Sequence, residues 1–283
     1  MRILLIGSAG MLGSDLAQEL SAHELIPATS RDADIRDLRQ VRQLVSASAP
    51  DWIVLAAAYT DVDGAERDPD LAFAVNRDGT RNVAVAAKQA GAKLLFVSTD
   101  YVFDGKSKRA YEPNDPINPL SAYGASKAAG EQAVQEFGGK WLTARASWLF
   151  GASRSCFPEK ILLAADTQPE LKVVNDQVGS PTYTKDLAAA IRQLIHADAS
   201  GILHVANSGS CSWFDLAKEV LRKAGKTTPI FPISTSETHR PAKRPAYSVL
   251  SPAALATYGI RLRSWQDALD TYLRELHEKG KLR

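Results

Sequence analysis

Cysteine is scarce in this chain of 283 residues: only Cys156 and Cys211 occur, far apart and in no metal-ligand spacing. A disulfide framework is therefore not expected, and a reducing compartment fits. Long apolar runs are also missing. The longest, Trp52 to Tyr59, has eight residues, where a membrane span takes roughly 18. The opening run Ile3 to Ile6 stops at Gly7, too short for the core of a signal peptide. We expect a soluble, cytoplasmic protein that does not enter a membrane. No excess of one charge is present either, since 34 Lys and Arg against 32 Asp and Glu leave a formal charge of +2. That is no footprint for nucleic acid, and none is expected as a partner. The five histidines, at 23, 196, 204, 239 and 277, show no ligand spacing, so no metal is expected. A G-x-S-x-G elbow, internal repeats and low-complexity tracts are absent.

What is present begins at the amino end. Ile3 to Ile6 reads as a fully buried strand running into Gly7-Ser8-Ala9-Gly10-Met11-Leu12-Gly13, with a helix-like segment from Ser14. Strand, glycine turn and helix together give such a motif its meaning. The first glycine permits the turn, the second lets backbone N–H groups approach a pyrophosphate, and the third lets helix and strand pack closely. Gly7, Gly10, Met11, Leu12 and Gly13 are accordingly candidate cofactor contacts. After a second strand, Leu25 to Ala28, come Ser30 and Arg31, of the kind that accommodates a 2′-phosphate. NADPH is the expected cofactor; Asp32 follows at once and leaves NADH open. Asp34 and Ile35 have the form of a segment closing over an adenine. A third strand, Trp52 to Ala56, ends in Ala56-Ala57-Ala58-Tyr59, whose small residues let a cofactor approach the backbone. Asp61 and Asp63 read as helix-capping residues rather than cation ligands.

A long helical segment is expected from Asp70 to Ala90, ended by Gly91. The strand Leu94 to Val97 then delivers Thr99 to the carboxyl end of a sheet, where open α/β sheets place ligands. Tyr123 and Lys127 stand four apart at the start of a helix-like segment and so share a face. An ammonium beside a phenol would lower its pKa from about 10, making a general acid or base for neutral pH. The intervening loop, Asp104 to Pro119, with three prolines, has the look of a mobile flap. Beyond residue 150 strands shorten and loops lengthen. Helices are expected at 184–196, 212–224 and 264–277, and a cation-rich, proline-stiffened loop at His239 to Ser248 suits a diphosphate. The fold expected is α/β: a Rossmann-like doubly wound parallel sheet in residues 1–150, and a smaller substrate-binding lobe in 151–283 with some segments returning to the first core.

Taken together, these residues resemble the extended short-chain dehydrogenase/reductase superfamily. Within it, Asp100-Tyr101-Val102-Phe103, Asn175-Asp176-Gln177 with Gly179 to Thr182, and Arg244-Pro245 with Ser248 resemble the dTDP-4-dehydrorhamnose reductase family. The resemblance implies a catalytic set of Thr99, Tyr123 and Lys127, the last two also touching the cofactor. It implies a sugar pocket lined by Thr60, Val62, Asp100, Tyr101 and Trp148, with Arg244 on the nucleotide diphosphate. The activity implied is reduction of the C4 ketone of dTDP-4-dehydro-6-deoxy-L-mannose to dTDP-L-rhamnose, in cell-surface polysaccharide synthesis. Tyr59 stands where the family often has histidine, and Tyr247 where asparagine is usual. Some relatives are described as magnesium-bridged dimers; Lys185 stands where a bridging carboxylate would be expected, so a homodimer stays open without that metal. Two rivals share the outline. A 4,6-dehydratase would need a glutamate where Tyr101 stands, and an epimerase would keep its cofactor bound through turnover. A non-catalytic reading, like the regulatory β subunit of methionine adenosyltransferase, also stays open.

Overall fold

The structure is a computed structural model that describes residues 1–282. Its centre follows from the first apolar run. In β1 (Arg2–Ile6) side chains alternate across the strand, so Ile3 and Leu5 join one core while Leu4 and Ile6 join the other. Both faces are covered, which is why the strand reads as a continuous apolar run instead of an alternating one. Next come α1 (Met11–Glu19), β2 (Glu24–Ala28), α2 (Leu38–Ser48) and β3 (Trp52–Leu55). Asp37 caps α2, its carboxylate accepting from the backbone N–H groups of Arg39 and Gln40.

Asp61 caps the next helix, α3 (Val62–Arg67), by accepting from Gly64 N–H. The expected single helix over 70–90 is instead α4 (Pro69–Phe73), a π-helical turn (Ala74–Gly79) and α5 (Thr80–Ala90), closed by Gly91 at φ +68°. A π-bulge inside a helix often marks a position in use, and here it presents buried Asn76. The Asn76 amide accepts from Tyr59 N–H at 2.9 Å and donates to Tyr59 O at 3.0 Å and Ser126 Oγ at 2.9 Å. The loop after β3 is thereby stitched to the helix that carries Tyr123.

That helix is α6 (Ala122–Phe137), capped by Ser121, and it lies between β4 (Lys93–Thr99) and β5 (Trp141–Ala146) in the chain. The second half contains β6 (Leu149–Phe150), α7 (Phe157–Thr167), β7 (Leu171–Val174), β8 (Val178–Gly179), β9 (Thr182–Tyr183) and α8 (Thr184–His196). It continues with β10 (Gly201–His204), β11 (Cys211–Ser212), α9 (Trp213–Lys223), β12 (Ile230–Ile233), α10 (Ala253–Ala256) and α11 (Trp265–Glu278). Helix α7 and strands β10 and β12 were not anticipated. The six-stranded sheet runs β10-β5-β4-β3-β1-β2, parallel throughout. This is the doubly wound sheet expected. Helices α1 and α8 cover one face of it, and α2, α5 and α6 contribute to the core on the other. A separate core gathers α7, α9 and α11 with the short strand pairs. Among the described residues no helix is long and apolar enough to cross a membrane.

Strand order reverses at β1, which has β2 on one side and β3 on the other. Ligands of open α/β sheets bind outside the carboxyl ends of the strands at such a point. Register brings Ile6 level with Ala28 and Leu55, and Thr99 level with Ala146.

Candidate active site

A cleft of about 710 Å³ opens at those strand ends. Its floor is the glycine turn. Gly7 sits at φ +96°, and a Cβ there would lie 2.5 Å from Ala57 N; at Gly13 it would lie 2.0 Å from Gly7 O. The turn therefore admits no side chain at either position, leaving backbone where a phosphate would lie. Gly10 is the N-cap of α1, and no side chain caps that end, so its first N–H groups remain open to an anion.

Gly7, Gly10, Met11, Leu12, Gly13 and Ser30 line the cleft, as do Ala56, Ala57 and Ala58. Thr60, Val62, Thr99, Asp100, Tyr101, Tyr123, Lys127 and Trp148 line it too. Five expected contacts are placed elsewhere. Arg31 is exposed, and the carboxylate of Asp34 is taken by Arg36 at 2.6 Å. Ile35 is buried beneath the π-helical turn, so close that a Cβ at Gly79 would meet it at 2.7 Å. Tyr59 turns its hydroxyl toward Gly64. Arg244 pairs with Asp63 at 2.9 Å and donates to Ala242 O at 3.0 Å.

The expected relation between Tyr123 and Lys127 needs correction. Lys127 is 2% exposed, its ammonium donates to Val97 O at 2.7 Å and lies 4.0 Å from the centre of the Phe96 ring. Burial pulls its pKa down to about 7, against the opposing pull of Glu131 one turn on. Tyr123 is not made acidic by it. Burial pushes the phenol above its ordinary range, Thr99 favours the phenolate, and the charge of Asp100 opposes it. Spacing placed the two side chains on one face of α6, but the cation is committed to the β4 carbonyl. Tyr123 is thus a phenol at neutral pH, the form that can give a proton.

Beside it, Asp100 is buried and accepts from Ser248 Oγ at 2.6 Å and Thr99 Oγ1 at 3.1 Å. Burial pushes its carboxyl up to about 6 despite those bonds. Tyr101 meets Tyr123 edge-on at 5.6 Å, and burial pushes its phenol up to about 12.

The facing wall joins the expected Trp148 to residues that the sequence did not flag. Trp148 adopts φ +48°, an uncommon conformation for a bulky residue. Its indole stacks on Trp213 with centroids 3.5 Å apart and planes 6° apart, and a Cβ on Gly179 would come within 2.4 Å of it. Trp213, Arg154 and Phe157 line the same side. Trp213 reads from sequence only as the start of an expected helix.

Behind α6 lies a buried polar cluster. Arg145 grips Glu131 with Nε at 2.9 Å and Nη2 at 2.7 Å, and Ser98 Oγ donates to the same carboxylate at 2.5 Å. Arg145 Nη1 donates to Pro113 O at 3.0 Å and meets His204 Nε2 at 3.4 Å. A guanidinium only donates, so Nε2 accepts and Nδ1 carries the hydrogen given to Tyr111 O at 3.0 Å. Burial and Arg145 pull the His204 pKa down to about 3, leaving it neutral. The loop 104–119, anticipated as a flap, is therefore held from beneath at two carbonyls, and it does not line the cleft.

The sequence model of the family described as RmlD substrate binding domain matches residues 1–278. The chain belongs to this family. Among its relatives, the dTDP-4-dehydrorhamnose reductase of Burkholderia thailandensis is 38% identical over 98% of this chain and 99% of its own. The spore coat polysaccharide biosynthesis protein SpsK of Bacillus subtilis is 41% identical over 97% of each chain. A crystal structure of dTDP-4-dehydrorhamnose reductase from Bacillus anthracis in complex with NADP superposes with a TM-score of 0.94. It is 40% identical, over 97% of this chain and 99% of that one. A dTDP-glucose 4,6-dehydratase from Streptomyces venezuelae, 21% identical with a TM-score of 0.84 over 98% and 97%, shares the fold. In this RmlD-family chain the glycine cradle and the buried phenol share one cleft.

Proposed function

We propose that the chain reduces the C4 ketone of dTDP-4-dehydro-6-deoxy-L-mannose to dTDP-L-rhamnose with NADPH, Tyr123 acting as general acid. The observation that carries this reading is a phenol held protonated, next to Thr99, in the cleft floored by a side-chain-free glycine turn. The names of the full-length relatives and the NADP of the Bacillus anthracis enzyme agree with it. In this reading residues 1–150 carry the dinucleotide and 151–283 mainly the sugar.

The backbone of Gly7, Gly10 and Gly13 would hold the dinucleotide phosphates, with Ser30 and Ala56 to Ala58 alongside. Bound there, the dihydronicotinamide supplies a hydride. The Thr99 hydroxyl orients the ketone oxygen, and Tyr123 gives its hydroxyl proton to that oxygen as the carbonyl becomes an alcohol. Lys127 would hold the ribose of the dinucleotide, and the Thr99 hydroxyl, which favours the phenolate, stabilises the charge left on Tyr123. The stacked indoles of Trp148 and Trp213 offer an apolar face to the sugar and exclude water.

Oxidation of NADPH, followed spectrophotometrically with the 4-keto sugar nucleotide, tests the reading. Tyr123→Phe should lose at least about 100-fold in kcat, the usual scale of general acid catalysis. A variant as fast as the parent would remove Tyr123 from its role. Running NADH in parallel decides the dinucleotide.

A further inference from the structure

The cleft needs more positive charge than the glycine turn offers. A pyrophosphate brings two negative charges, and a helix amino end provides the equivalent of about half a positive one. Among the described residues lining the cleft only Lys127 and Arg154 are cationic. Lys127 is buried and committed to Val97 O. Arg31, which the sequence suggested for a phosphate, is exposed and outside the lining.

Arg154 is differently placed. It is exposed, lies just after β6 on the facing wall, and reaches across to the glycine turn. Its Nε and Nη2 donate to Ala9 O at 3.1 and 2.7 Å, and the neighbouring Ser153 Oγ donates to Met11 O at 3.2 Å. Ala9 lies between Gly7 and Gly10, over the open end of α1. A guanidinium has five N–H donors, and these two bonds leave the rest free to face the cleft. Its present acceptor is a neutral carbonyl. A phosphate oxygen on the same turn would offer the roughly twofold stronger charge-assisted, bidentate arrangement that guanidinium favours.

We infer that Arg154 is a ligand for the cofactor pyrophosphate, a cation brought by the second half of the chain to close over the glycine turn of the first. The inference rests on the dinucleotide reading above. Loss of Arg154 removes that charge-assisted contact, a scale of about 10- to 100-fold in affinity.

The test is titration of the full-length protein with NADPH, and with adenosine 2′-phosphate, which lacks the pyrophosphate. Arg154→Ala should weaken NADPH by about 10- to 100-fold, leave adenosine 2′-phosphate within about twofold, and reduce the salt dependence of NADPH binding. Arg154→Lys should restore part of the loss. The assignment is overturned if Arg154→Ala binds NADPH within about twofold of the parent, or loses both ligands equally. It also falls if the variant lowers only the melting temperature of the free protein, which would make Arg154 a structural latch. If the parent binds neither NADPH nor NADH, the dinucleotide reading fails and takes this assignment with it. Tight binding by the parent and by Arg154→Ala alike removes the assignment alone.

Discussion

Along one wall of the cleft, at the ends of β1 and β3, the lining is backbone and small side chains. Gly7, Gly13 and Ala56 to Ala58 lie there, set on strands whose residues are almost all fully buried. Across from it, Trp148, Arg154 and Trp213 present large side chains carried by loops and a helix start. The first wall is backed by buried strands paired in one sheet. Its shape is suited to what varies little between reactions, a phosphate chain. The second wall is assembled from segments 65 residues apart in the chain at Trp148 and Trp213, and such a wall can be re-specified without disturbing the sheet.

The hardest way to break that comparison is to attack what stands behind the first wall. Arg145 and Glu131 are both nearly inaccessible, at 2% and 1% exposure. Removing one partner of such a pair leaves a buried charge and costs about 3–5 kcal/mol. Arg145→Met should lower stability by that amount in urea denaturation, and adding Glu131→Leu should recover part of it. A single variant within about 1 kcal/mol of the parent would mean that the pair does not hold this wall.

Gly13→Ala comes next. The added Cβ would meet backbone at 2.0 Å, and backbone cannot swing away as a side-chain end can. Overpacking of this kind costs about 1–3 kcal/mol, and we expect both a lower melting temperature and loss of NADPH affinity by titration. Retention of parental affinity would show that the turn has room the geometry denies.

On the opposite wall a larger deletion should do less. Trp213→Ala removes the stack on Trp148, an interaction of about 0.5–1.5 kcal/mol. KM for the sugar nucleotide should rise about 3- to 10-fold, with NADPH affinity unchanged. Should NADPH affinity fall instead, the two walls do not divide their ligands in this way.

The unequal construction also explains what the sequence disclosed. Ile3 to Ile6, Trp52 to Leu55 and Leu94 to Val97 are strands covered on both faces, so composition alone marks them. The glycine spacing marks the turn that leads from the first of them into α1. Arg154 and Trp213 carry no local signal, since they become neighbours of the cleft only through the packing of α7 and α9 with the rest of the second core. Strand β10 escaped notice because Gly201-Ile202-Leu203-His204 is short and takes its meaning from β5 alongside. Helix α7 begins at Phe157-Pro158, and a proline that suits a helix's first turn reads equally well as loop. Lys127 shows the limit within a correctly read motif. Spacing gave the shared face with Tyr123, whereas depth of burial, which sends the ammonium to Val97 O, is a property of the assembled core.

Depth of burial leads to the smallest effect and the sharpest contrast between the two cations of the cleft. Arg154 is exposed, whereas Lys127 is buried among β4 and α6, and burial pulls it to about 7 from an ordinary 10.5. Glu131, on its own helix, is the nearby charge that holds it up, while Tyr123 beside it is uncharged and Val97 O and the Phe96 ring face it from β4. Between those two pH values the folded protein binds fewer protons at this site than the unfolded chain. Stability from Lys127 is therefore fully present above 10.5, and falls as pH drops toward about 7. Activity should move the other way. If the ammonium helps hold the cofactor, kcat/KM for NADPH falls as pH rises through about 7. Opposite slopes in one window distinguish this titration from alkaline unfolding, which would lower both together. Lys127→Met should flatten the stability slope, and a kcat/KM profile flat from about pH 6 to 9 in the parent would show that Lys127 stays charged in the free enzyme.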